Sequence, residues 1–142
     1  MSASTYAAGT VSTPAPVLSV SPVVLSAPGR AVDLQVRVSA LVTGSELPVI
    51  LLSHGHGNSH NLSSLNGYGP LANFWAAHGF VVIQPTHLDS ATLGLREADD
   101  PQAPLYWRSR AEDMTRILDQ LDVIEASVPQ PCGATHAAGV PR

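Results

Sequence analysis

The chain has 142 residues, of which 44% are hydrophobic and 13% charged, and a net charge of -4. That length suffices for one domain with a core, and the light charging suits a buried sheet. Seven Lys and Arg without a basic run argue against a nucleic-acid partner, and a lone Cys132 excludes an internal disulfide.

Residues 1–16 are rich in Ser, Thr, Ala and Pro. They carry neither a basic start nor an apolar signal region, so they read as a disordered lead-in. No apolar run reaches membrane-spanning length, and the expected compartment is the cytoplasm. Val17 to Leu25 is apolar and β-branched, but Pro22 lies inside it. Proline cannot donate to a ladder, so this is an edge strand. Ala27-Pro28-Gly29-Arg30 is a turn signal. From Ala31 to Ala40 the pattern alternates strictly, with Val32, Leu34, Val36 and Val38 on one face. That predicts a strand with one wet face. Thr43-Gly44-Ser45 then suits an antiparallel hairpin into the next strand.

Val49 to Ser53 shows no alternation and reads as a strand buried on both faces. It ends in His54-Gly55-His56-Gly57, where glycines let the chain turn sharply. Asn58 to Gly69 is a polar loop. Pro70 to His78 carries Leu71, Phe74 and Trp75 at helical spacing, with Phe74 and Trp75 assigned to the core, and Gly79 stands where a C-capping glycine would. Phe80 to Ile83 is a second apolar run, stopped by Gln84-Pro85. Strand, helix, strand in this order predicts a βαβ unit with a right-handed crossover.

His87 to Pro104 reads as a loop. Ser109-x-x-Glu112 has the spacing of a capping box, with Asp113 as a second first-turn acid. The helix it opens extends to about Ser127. Its expected apolar face is Ala111, Met114, Leu118, Leu121 and Val128, with Asp122 and Glu125 on the wet side. Tyr106 and Trp107, just before it, could anchor the core or line an acyl pocket. From Pro129 to Arg142 periodicity and branched apolar runs cease. This stretch reads as an irregular tail of a composition that suits out-of-frame sequence. The organisation is thus 1–16 lead-in, 17–128 domain and 129–142 tail.

The segment Pro48 to His87 resembles the oxyanion-hole segment of α/β-hydrolases. It is similar to that of chlorophyllase-like, platelet-activating-factor acetylhydrolase-like and polyester-hydrolase-like serine esterases. The resemblance rests on the strand before His54-Gly55-His56-Gly57, the loop with Tyr68, the helix end Ala76-Ala77-His78-Gly79-Phe80 and the strand end Gln84-Pro85-Thr86-His87. The helix from Arg110 to Leu121 adds to it. The implied fold is α/β, a partial α/β-hydrolase sheet that is mostly parallel, with an N-terminal antiparallel hairpin and helices on both faces. The implied activity is carboxylic-ester hydrolysis through a serine acyl-enzyme, on a small ester and without a cofactor.

In such a site the backbone of His56 and Gly57 would form the oxyanion hole, because acyl transfer needs N–H donors aimed at the developing negative charge. His54 and Gly55 would support the loop, while His87, Thr86 and Tyr68 would line the substrate crevice. The family also uses a Gly-x-Ser-x-Gly elbow, an acid and a histidine. The elbow is absent here, so nucleophile, acid and base are missing. Ser53 and Ser59 lie beside histidines but on no elbow, and Ser109 reads as a helix cap. The chain therefore resembles an N-terminal part of a hydrolase that is inactive alone, a non-catalytic fragment or association module. In the family the strand Val49 to Ser53 lies next to the strand carrying the nucleophile. Without that neighbour its edge would be open, and the chain would self-associate through it.

A rival reading takes His54-x-His56-x-Asn58-x-His60 as a metal cluster of a metal-dependent hydrolase, since imidazoles suit zinc. Asn58 stands at the acidic position of such clusters, and the working expectation is no metal.

Overall fold

The structure is a computed structural model and describes residues 16–55 and 68–129. A four-stranded sheet holds β1 (Val17–Leu25), β2 (Leu34–Leu41), β3 (Val49–Leu51) and β4 (Val81–Pro85) in the order β1-β2-β4-β3. Among the described residues three α-helices accompany it: α1 (Gly69–Ala77), α2 (Trp107–Asp119) and α3 (Leu121–Ser127).

β1 lies at an edge, as its proline predicts, and its register against β2 shifts between Val20 and Val23, around Pro22. The alternation in β2 is realised from Leu34 onward. Leu34, Val36 and Val38 are buried, whereas Val32 precedes the strand and is exposed.

The pairing of β2 corrects the expected topology. The turn at 43–45 does not fold β2 onto β3. Instead β2 runs antiparallel to both β1 and β4, and only β3 and β4 are parallel. The sheet is mixed and mostly antiparallel, so the expected mostly parallel, partial α/β-hydrolase sheet is not what this chain forms. The physical reason is length. The two long strands are the amphipathic ones, and they dominate the ladder. The apolar run at 49–53 contributes just three strand residues.

Helices do cover both faces. Side chains of β4 alternate between them, Val81 and Ile83 on one side and Val82 on the other. The first side is the larger core, where Leu25, Leu34, Val36 and Val38 meet Ile117 of α2 and Ile124 of α3. Each such aliphatic side chain contributes about 1.5–3 kcal/mol of burial. The second side packs Val82, Ile50 and Leu52 beneath Ala72, Ala76 and Trp75 of α1.

The end of α1 follows its sequence signal closely. Gly79 takes φ 91° directly after the C-cap His78. The Phe80 N–H donates to Trp75 O and the Gly79 N–H to Ala76 O, and Phe80 and Trp75 share one apolar cluster. This is the bonding of a Schellman cap, which needs a residue at ease in the left-handed region. Trp75 packs as expected. Phe74 does not: it is exposed and stacks on His78, with ring centroids 4.2 Å apart.

The expected single helix from 110 to 127 is two, broken at Gln120. It also starts earlier, behind Tyr106, whose φ is 48°. Ser109 is therefore a buried residue of the first turns and caps nothing. The buried face runs Ser109, Asp113, Ile117, while Ala111 and Leu118 are exposed. An aspartate occupies the middle of that buried stripe. Of the aromatic pair, Tyr106 is buried and donates its hydroxyl to Leu95 O, and Trp107 is exposed.

Candidate functional site

β3 and β4 end side by side, and the chain leaving them is held to α2 by a polar network. Asp113 is at its centre, without exposed surface. Its Oδ1 accepts from Arg30 Nε at 3.1 Å and Arg116 Nη1 at 3.2 Å; its Oδ2 accepts from Arg30 Nη2 at 3.3 Å and His87 Nδ1 at 2.9 Å. Arg30 arrives from the turn before β2 with 1% of its side chain exposed. Its remaining donors reach the carbonyls of Val32, Asp33 and Thr86. All five guanidinium N–H groups are thus used, the condition for burying such a cation cheaply.

Arg110, one helical turn before Asp113, makes a second clamp. Its Nε and Nη2 grip Asp89 at 3.0 and 2.8 Å. Nη1 donates to Ser53 Oγ and His54 O, each at 3.0 Å, and Nη2 to Gly55 O at 3.3 Å. Again five donors meet five acceptors. The planar fork ties the end of β3 to the segment after β4, which a lysine could not do.

His54 and His87 lock the remaining groups. The His54 Nδ1–H donates to Gly55 O at 2.6 Å, and its Nε2 accepts the His87 backbone N–H at 3.0 Å. These bonds need the neutral ring. Burial holds the His54 pKa below its ordinary 6.5, and the nearby His87 and Arg110 add to that, against the bond to Gly55 O. The His87 ring has no exposed surface. With Nδ1–H on Asp113, its Nε2 accepts from Ser53 Oγ–H at 2.9 Å.

Ser53, His87 and Asp113 therefore form a serine–histidine–aspartate hydrogen-bond chain. Sequence reasoning missed it because its members lie 34 and 26 residues apart. Its order is that of a serine-hydrolase relay. Two features set it apart. The buried His87 has no open side from which to serve a leaving group, and Asp113 is shared with two arginines.

Among the sequence-predicted site residues, His54 and Gly55 occupy the turn after β3. His54 is buried, and it fixes the loop. Gly55 is not in the left-handed region, so the turn does not depend on glycine there. A Cβ at that position would lie 3.9 Å from Tyr68 Oη. Tyr68, assigned to the crevice, thus stands over Gly55 and is exposed. His87 and Thr86, also assigned to the crevice, are buried and hold backbone and charge rather than present a surface. The oxyanion pair His56 and Gly57, together with Asn58, Ser59 and His60, lies outside the described residues. So do Cys132 and the stretch 130–142.

Among the described residues no group of three or more His, Cys, Asp or Glu could hold a metal ion. No helix among them is long and apolar enough to cross a membrane. No family model matches the chain, and no curated protein or solved structure matches it significantly.

Proposed function

We propose that the chain forms the strand-end platform of a carboxylic-ester hydrolase of the serine type, acting on a small ester. Its oxyanion donors are the backbone N–H groups of His56 and Gly57, and the nucleophile is not among its residues. The observation that carries this reading is the immobilisation of the turn leaving β3. Three consecutive residues, Ser53, His54 and Gly55, accept from one saturated guanidinium, and His54 pins the same turn to His87. An oxyanion hole gains its effect from donors fixed before charge develops. A rigid base immediately ahead of His56 supplies that condition. Tyr68, exposed over Gly55, is the crevice wall in this reading.

A second reading is favoured by the two 2.9 Å contacts around His87. There Ser53 Oγ attacks the ester carbonyl while its proton passes to His87 Nε2. The alkoxide then leaves with that proton, and water repeats the steps on the acyl-serine. The burial of His87 favours the first reading.

One pair of measurements separates the two. The 142-residue chain is incubated with a fluorophosphonate and with p-nitrophenyl butyrate. The nucleotide sequence beyond codon 128 is read in all frames for Gly-x-Ser-x-Gly followed by Asp and His, and any such extended chain is assayed likewise. The platform reading expects no labelling of the 142-residue chain and turnover by the extended one. In the extended chain His56→Pro, which removes one N–H, should lower kcat about 10²–10³-fold. The absence of an elbow in every frame would overturn it. Stoichiometric labelling of Ser53 would establish the second reading.

A further inference from the structure

We infer that His54 is a proton-operated latch: its neutral ring closes the turn onto the end of β4, and its charged ring leaves and frees the His87 N–H while the sheet stays folded. The inference stands on how two adjacent rings are bonded, independently of the ester-hydrolase reading.

The rings of His54 and His87 have centroids 5.1 Å apart, yet they are bonded in opposite ways. His87 has a carboxylate on Nδ1 and a hydroxyl on Nε2. A hydroxyl both donates and accepts. One lone pair of Ser53 Oγ takes the Arg110 Nη1–H, and its second is left for a proton-bearing Nε2 once the hydroxyl hydrogen turns away. Both contacts of His87 survive that change. His54 has no such freedom. Its Nδ1–H donates to Gly55 O, and its Nε2 accepts from the His87 N–H. A backbone N–H only donates. A proton on Nε2 would set two donors head to head at 3.0 Å, so the ring must leave.

No carboxylate among the described residues is placed to keep the charged ring in. Arg110 of α2 and His87 at the end of β4 oppose a positive charge on it, and Asp89, after β4, favours one. Asp89 is gripped by both Nε and Nη2 of Arg110. Behind His87, Asp113 is shared by Arg30, Arg116 and His87, and Arg116 also holds Glu112. Tyr68, at the start of α1, brings a phenol near Gly55 and no acid. Three guanidiniums thus meet two buried carboxylates, and an imidazolium would add a further cation.

The opening is local because the turn has a second anchor. Arg110 holds Ser53 Oγ, His54 O and Gly55 O, and none of these bonds uses the His54 ring. β4 stays paired with β2 and β3. Burial, above all, holds the folded pKa of His54 below its ordinary 6.5. The latch is therefore closed at neutral pH and opens as pH falls through the folded pKa.

The test is an NMR titration of the full chain from pH 8 to pH 4. It follows the ring nitrogens of both histidines, exchange of the His87 amide, and the core methyls of Ile83, Ile117 and Ile124. At pH 8 His54 should show the Nδ1–H tautomer. On acidification its ring should become an imidazolium while the core methyls keep their dispersion. Protection of the His87 amide should fall about tenfold per pH unit between about 6.5 and the folded pKa of His54, since each opening binds one proton. It should stay below that of the β2–β4 ladder amides at every pH. His54→Gln, whose side-chain carbonyl accepts the same N–H without titrating, should remove the fall. The first readouts need no variant. A His54 ring still neutral when the core methyls collapse would overturn the proposal. So would a His87 amide that stays protected beside a charged His54, or one that exchanges at the rate of the ladder amides. A fall that persists in His54→Gln would overturn it as well.

Discussion

Asp113 Oδ2 lies 2.9 Å from His87 Nδ1, and neither side chain has any exposed surface. This contact joins α2 to the end of β4. It also completes a carboxylate that two arginines and a histidine share. Its energetic weight lies in Arg30, which is as buried as Asp113 itself. Asp113→Ala would strand that guanidinium without a counter-charge. Breaking a buried pair from one side costs about 3–5 kcal/mol, a large share of a domain's stability. Arg116→Ala removes a partner that is 23% exposed, and should cost at most about 1 kcal/mol. Urea unfolding of both variants checks this ranking; equal losses would refute it.

The two bonds of His54 set a pH dependence. Protonation at Nε2 would abolish the bond from the His87 N–H. The folded pKa lies below 6.5, the unfolded one at about 6.5. Above 6.5 both states hold a neutral ring, and the contribution is fully present. As pH falls below 6.5 the unfolded chain takes up the proton first, so stability declines until the folded pKa is passed. Unfolding free energies between pH 5 and pH 8 should show this slope, and His54→Gln should flatten it. An unchanged slope in the variant would place its origin elsewhere.

Arg110→Lys keeps the charge but loses the fork. A lysine cannot span Asp89 and three successive residues of the turn at once. The turn should loosen, and with it the amide of His87 that His54 accepts. The loss of a charged hydrogen bond is worth about 1.5–3 kcal/mol, so exchange there should accelerate by about 10–100-fold. Amides in the middle of β2 should keep their protection. Uniform acceleration everywhere would mean global destabilisation instead.

Two glycines should respond oppositely to alanine. Gly79 has φ 91° in the cap of α1, a conformation that costs an L-residue about 1–2 kcal/mol. Gly79→Ala should lower the melting temperature accordingly. Gly55 is outside that region, and the added methyl would meet Tyr68 Oη at an ordinary 3.9 Å. Gly55→Ala should stay within about 0.5 kcal/mol of the parent. Calorimetry of the pair decides it.

Local signals in this chain were legible wherever neighbours in sequence settle the matter. Pro22 marks an edge strand, because its missing N–H is a property of the residue itself. The alternation at 34–38 orients a strand, and Gly79 ends a helix, for equally local reasons. The burial of Asp113 was not legible in this way. Read alone, Asp113 is a first-turn acid, and the apolar face expected for this helix included Met114, Leu121 and Val128, which do pack on the core, but also the exposed Ala111 and Leu118, and it left out Ile117.

What the sequence by itself determined is the four strands, the first helix with its cap and the inward face of β2, which follow from backbone chemistry and period. Tertiary structure alone decided the sheet order, the mostly antiparallel pairing and the polar centre. β2 chose β4 over its neighbour in sequence, and β3 was left at the edge. Arg30 and Asp113, 83 residues apart, became buriable only in each other's presence. The physical reason is the same in both cases. Strand partners and counter-charges are chosen by where the folded chain brings them. The cost of burying a charge or an unpaired strand group is fixed by the partner that arrives, and no local pattern records which partner that will be.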